Sequence, residues 1–85
     1  MEFLFSKHAL EQIHFRRLSL AVIENVLYSP DIVIPDIEGV EVYQKLVFEN
    51  DKSYLYRVFV NIRKIPPLIV TAYKTSKTEK YENQV

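Results

Sequence analysis

At Ser29-Pro30 the apolar pattern of this chain changes period, and that change decides its class. Before it, apolar residues recur three to four positions apart; after it they alternate. Ser6 is placed to cap a helix over residues 7–16 with Ala9, Leu10 and Ile13 inward, and Ser19 to cap a second over 20–28 with Leu20, Ile23, Val26 and Leu27 inward. Pro30 stops that helix, because the residue before a proline disfavours the α region. Beyond it "DIVIP" reads as a short strand, with Pro35 at an edge or at the strand's end. "DIEG" is a turn holding the one glycine, Gly39. "VEVYQKLVF" and "YLYRVFVNIR" are long strands joined by a hairpin connection, "ENDKS". "KIPP" then breaks the chain before a last strand, "LIVTAYKT". The order ααββββ with short connections predicts an α+β domain over residues 1–85, two N-terminal helices packed on one face of a four-stranded antiparallel sheet.

Composition removes several kinds of chemistry. The absence of cysteine excludes a disulfide framework, a thiolate zinc site and a cysteine nucleophile, and fits a reducing cytosol. No apolar run approaches the ~18 residues that span a bilayer. "MEFLFSKHAL" has an acid at position 2 and too short an apolar stretch for a signal peptide, so a cytoplasmic protein without a membrane partner is expected. Formal charge is zero but uneven: residues 1–51 hold nine acids and four bases, residues 52–85 seven bases and two acids. That asymmetry points to an anionic partner, nucleic acid or an acidic protein.

Alternation along the strands sorts the side chains. In "YLYRVFVNIR" Tyr56, Val58, Val60 and Ile62 read as core, and Arg57, Phe59, Asn61 and Arg63 as the other face. In the last strand Leu68, Val70 and Ala72 read as core, with Ile69, Thr71, Tyr73 and Thr75 outward; Lys74 falls on the core side and ends the strand or snorkels to the rim. The helix-free face is then expected to carry Tyr43, Lys45, Arg57, Asn61, Thr71 and Tyr73, with Phe59 and Ile69 between them. Cations for phosphates and rings for unpaired bases make a surface suited to RNA. The same residues would equally decorate the solvent side of a two-faced sheet. Lys74, Lys77 and Lys80 extend positive charge past the strand end.

Ionisable chemistry is sparse. His8, one turn into the first helix, is the best-placed group that titrates near neutral pH, although a lone helical histidine is more often a surface residue. His14 is too far round the helix to pair with it on a metal, and the scattered acids give no ligand cluster, so neither metal nor cofactor is expected. One glycine cannot form a phosphate-cradling loop. Imidazole, guanidinium, amine, phenol and hydroxyl remain, a set that suits metal-free RNA cleavage.

"FSKHALEQIHFRRLSLAVIENVLYSPDIVI" resembles the opening of the small "KHA" proteins, a domain-of-unknown-function family, with its Lys-His-Ala start, an Arg before a Leu-Ser helix cap and a Ser-Pro-Asp stop. "YRVFV" and "LIVTAYKTSK" resemble the last two strands of that family. The family is grouped with the RelE-like and BrnT-like toxins among barnase- and RelE-type ribonuclease folds. The resemblance implies a metal-independent endoribonuclease toxin, often encoded beside a small antitoxin. By position it carries the family's residues onto His8, Arg16, Arg57, Thr71 and Tyr73, with Lys74 adjacent. The residue after the junction Arg, often Gly in the family, is Arg17 here, and the basic triad of the best-known RelE members has no unambiguous match.

The leading expectation is therefore a toxin-type ribonuclease acting on single-stranded RNA. His8, Arg57 and Tyr73 would be catalytic, and Arg16, Lys45, Phe59, Thr71, Lys74 and Lys77 would bind RNA. That scheme requires the helix carrying His8 to bring its imidazole near Arg57. The alternative is a module of the same fold that binds RNA or an acidic antitoxin without cleavage. A protein acting through homodimerisation is the third option.

Overall fold

The first helix begins where Ser6 turns its hydroxyl back on the chain, accepting from the Ala9 amide at 3.0 Å. In the computed structural model, which describes residues 2–79, helix α1 runs Lys7–Phe15 and α2 runs Leu20–Tyr28. Ser19 caps α2 the same way, its Oγ accepting from Val22 N at 3.3 Å. The end of α1 has a specific chemistry. Leu18 N donates to Ile13 O at 2.9 Å and Arg17 N to His14 O at 3.1 Å, the paired bonds of a Schellman turn. Arg17 sits at the position between them with φ 56°, in the left-handed region where glycine is the usual occupant. Leu18 and Ile13 bury together across the turn.

Five strands follow the sheet order β1-β5-β4-β3-β2: β1 Leu4–Phe5, β2 Ile32–Pro35, β3 Val40–Glu49, β4 Lys52–Asn61 and β5 Leu68–Thr75. The expected four-stranded antiparallel sheet is thus a five-stranded mixed one. β1 pairs parallel to β5, Leu4 opposite Leu68 and Phe5 opposite Ile69. Two residues are too few to display a period of two, so no alternation could announce this strand. The other three pairings are antiparallel.

One face of the sheet is covered by both helices. Tyr56, Val58 and Val60 of β4 and Ile69 and Ala72 of β5 pack with Ala9 and Ile13 of α1, Leu18 of the junction, and Ile23, Val26 and Leu27 of α2. Each fully buried aliphatic side chain there contributes about 1.5–3 kcal/mol. Phe5, Tyr43, Val47 and Tyr54 border this core. No helix among the described residues is long and apolar enough to cross a membrane.

β3 and β4 are joined by two residues only. Glu49 pairs with Lys52, and the turn residues Asn50 and Asp51 have φ 52° and 60°, both positive as a type I′ turn demands. In β5 the register shifts opposite Phe59 and Val60: Phe59 pairs with Thr71 but Val60 with Ile69, leaving Val70 as the extra residue of a bulge. Gly39, φ 81°, turns the chain between β2 and β3, and a Cβ there would lie 2.9 Å from Arg63 Cδ. Lys80, expected to extend positive charge past the last strand, lies outside the described residues.

Arg17→Gly should stabilise the domain by about 0.5–1 kcal/mol, relief of left-handed strain outweighing the extra entropy of the unfolded chain. A thermal melt showing a midpoint a few degrees higher than wild type is the expected result; a lower midpoint would mean that the Arg17 side chain supports the turn.

Candidate functional site

The two-residue β3–β4 turn sets the register that builds the open face. Gln44 pairs with Arg57, and Arg57 with Tyr73, so three polar residues from β3, β4 and β5 form one row straight across the sheet. They lie on the face away from the helices, because their strand neighbours Tyr56, Val58 and Ala72 belong to the helix-side core. Arg57 Nε donates to Gln44 Oε1 at 2.6 Å, and Arg57 Nη1 donates to the Tyr73 hydroxyl at 2.7 Å. The next row places Val42, Phe59 and Thr71 side by side. Phe59 and Tyr73 stack, ring centroids 6.1 Å apart at 27°, and the Arg57 guanidinium carbon lies 5.5 Å from the Phe59 centroid and 5.8 Å from that of Tyr73. A cation thus lies beside two rings, each contact worth about 0.5–1 kcal/mol at a partly exposed site.

Arg57, Phe59, Thr71 and Tyr73, singled out from the sequence, come together in this way, with Asn61 further along the same face of β4 opposite Leu68. Tyr43 and Lys45 do not join them. They pair with Val58 and Tyr56 and so face the helices. The cause is register: a five-residue connection over 49–53 would set Lys45 against Arg57, whereas the two-residue turn sets Gln44 there, and one step flips every side chain of β3. Lys45 instead snorkels to the Ser29 carbonyl at 2.7 Å and to Asp31 at 3.7 Å. Ile69 is likewise corrected to the core, with Leu68 on the open face, because the bulge at Val70 breaks the period of two.

His8 is exposed on α1, whose Ala9 and Ile13 pack on the helix side of β4 and β5. The sheet stands between that helix and the face of Arg57, so the approach of His8 to Arg57 that the sequence scheme required is not made. Arg16 has a structural bond: its Nη1 donates to the Ala72 carbonyl at 2.8 Å, fastening the end of α1 to β5. Lys77 is exposed just past β5, its amide bonded to Thr75 Oγ1.

Lys74 lies opposite Tyr56 on the helix side and belongs to a second polar cluster. Its Nζ donates to Glu49 Oε1 at 2.5 Å and lies 4.4 Å from the centre of the Tyr54 ring; the Tyr56 hydroxyl donates to the same oxygen at 2.7 Å. The Lys74 hydrogen bond, then that of Tyr56, hold the Glu49 carboxyl below its ordinary value of 4.5. Burial, followed by the bond to Glu49, pushes the Tyr56 phenol well above its ordinary 10.0. This cluster is charge-balanced and internally satisfied, the character of a strut.

Gln44 is the residue that the sequence did not announce. It is 0% exposed, and its Nε2 has no hydrogen-bond partner. The signal was available: a lone amide among Val40, Val42, Leu46 and Phe48, which share its face of β3, and an Asn-Asp pair able to form a two-residue turn. Among the described residues no three of His, Asp and Glu gather as metal ligands. In comparisons with protein-family models, with curated proteins and with solved structures, nothing matches this chain.

Glu49→Gln should destabilise the domain at neutral pH by about 1–2 kcal/mol, the scale of a charge-assisted hydrogen bond at a partly exposed site. Because the folded-state value of Glu49 is depressed, its contribution is present above the ordinary carboxylate value and lost as pH falls through the folded one. Urea titrations from pH 7 to pH 3 should therefore show wild type and variant converging at the acid end; a constant gap would refute the ion-pair account.

Proposed function

We propose that this domain is a toxin-type ribonuclease of RelE-like architecture that cleaves single-stranded RNA through the Arg57 row. The observation that carries this reading is the Arg57–Tyr73 hydrogen bond on the helix-free face, flanked by the Phe59 ring. The resemblance of the helical half and of the last two strands to toxin-family sequences supports it.

The chemistry is a transesterification. The ribose 2′-oxygen attacks the adjacent phosphorus as its proton passes to a water molecule, the bond to the 5′-oxygen breaks, and that oxygen takes up a proton from Tyr73, giving a cyclic phosphate and a 5′-hydroxyl. Arg57 stabilises the charge that gathers on the non-bridging oxygens, a planar cation matched to a phosphate. Tyr73, held by the guanidinium through its oxygen, supplies the proton to the leaving oxygen. Thr71 lies one row away to bind the phosphate, and Phe59 offers a face for an unpaired base. Lys77 continues the backbone track beyond β5. His8, Lys45 and Lys74 drop out of this scheme, since all three lie on the helix side. A small acidic antitoxin that covers this face is the protein partner the reading implies.

Incubation of the protein with long single-stranded RNA in EDTA tests the scheme. Wild type should cut; Arg57→Ala should lose about 10²–10³-fold in rate and Tyr73→Phe about 10–10²-fold, the usual cost of removing a transition-state donor or a proton donor. His8→Ala decides between the two sides of the sheet. Retained cleavage keeps the reaction on the Arg57 face, and abolished cleavage would move it to the helix side. RNA retarded on a gel yet intact would make the domain a binder.

A further inference from the structure

The central amide of the open face has no role in that scheme, and its geometry gives it one. Gln44 is fully buried, although the other β3 residues on its face, Val40, Val42, Leu46 and Phe48, are all apolar. Its Oε1 accepts from Arg57 Nε at 2.6 Å, while Nε2 is left without an acceptor. A buried donor with no partner opposes folding and offsets part of what the bond to its Oε1 contributes. Stability therefore does not account for an amide here; the contact made by its oxygen does.

We infer that Gln44 is the positioning residue of Arg57, fixing the guanidinium for the phosphate at a cost in stability. Arginine reaches its head group through several rotatable bonds, so a guanidinium held at one point can still swing about it. Among the described residues Nε is held by Gln44 on β3 and Nη1 by Tyr73 on β5, from the strands on either side of its own. The β3 partner must be an acceptor, since a guanidinium has only donors, and an uncharged acceptor does not itself neutralise the positive charge. Glutamine meets both conditions. Its second amide hydrogen is the unavoidable by-product, because a carboxylate in its place would neutralise Arg57. The assignment of the guanidinium to a phosphate rests on the ribonuclease reading; the positioning itself does not.

The test uses Gln44→Met, which keeps the volume and removes the acceptor, and Gln44→Glu, which keeps the acceptor. The readouts are the Arg57 Nε–Hε resonance in ¹⁵N spectra, the melting temperature, and the rate on single-stranded RNA. Gln44→Met, in which the orphaned amide donor disappears but Arg57 Nε loses its acceptor, should melt within a few degrees of wild type, lose the protected Nε–Hε signal to solvent exchange, and act on RNA about tenfold more slowly. Gln44→Glu should restore the signal but not the rate. A protected Nε–Hε signal in Gln44→Met would overturn the inference. So would a lower melting temperature with disturbed amide signals along β3 and β4, which would make Gln44 an ordinary structural residue. If wild type leaves RNA untouched while the Nε–Hε signal responds as described, the ribonuclease reading fails and the positioning of Arg57 by Gln44 stands.

Discussion

The register between β3 and β4 governs everything on the open face, and two residues set it. Asn50 and Asp51 both adopt positive φ, which closes the hairpin with no spare residue and fixes Gln44 opposite Arg57. A connection longer by one residue on one side would exchange the faces of β3. Lys45 would then join Arg57, and Gln44 would enter the helix-side core beside Val58. Asn is a residue that tolerates the left-handed region better than most, and Asp shares that tolerance. The site therefore depends on turn chemistry at one end of the sheet, several residue pairs away from the guanidinium it positions.

The two polar clusters show how a small sheet handles buried polarity in different ways. On the helix side Glu49 gathers Lys74 and Tyr56 on one oxygen, and the charges cancel. On the other side Gln44 and Tyr73 are uncharged partners of Arg57, and one amide donor of Gln44 is left unmet. A buried donor left unmet runs against the stability of a domain this short, and folding alone does not call for it. The contrast, within one sheet and between neighbouring faces, is the physical reason to place function on the open face.

Where local chemistry suffices, the chain is legible. Ser6, Ser19 and Pro30 bound both helices, and the strands β2 to β5 follow from alternation and turn residues. Within β4 the two faces separate cleanly, because Arg57 and Asn61 are polar while Val58 and Val60 are not. β3 is apolar on both faces, with Val42 and Leu46 on one and Tyr43 and Val47 on the other, so hydropathy could not choose between its registers. In β5 the bulge at Val70 puts Ile69 and Ala72 on one face three residues apart, a spacing that alternation forbids. β1 and the bond from Arg16 to the Ala72 carbonyl exist only once distant segments meet. The site residues on β4 and the end of β5 were readable; Gln44 required the register, which no single strand contains.

The charge asymmetry along the chain also changes meaning on folding. Glu38 pairs with Arg63 at 2.7 Å, and Glu49 with Lys74, each bond joining an acid of the first half to a base of the second. Antiparallel pairing of β3 with β4, and of β4 with β5, interleaves the acidic and basic halves instead of separating them. Among the described residues Arg63, Lys74 and Lys45 are committed to carboxylates, and Arg16 to a carbonyl. Among the described residues, what the helix-free face presents is the Arg57 guanidinium with rings beside it. Recognition built on such a feature would owe little to long-range steering, which needs many like charges, and much to contact geometry. A single cation can discriminate in that way only if its orientation is fixed, and on this face the fixing falls to a buried amide and a phenol.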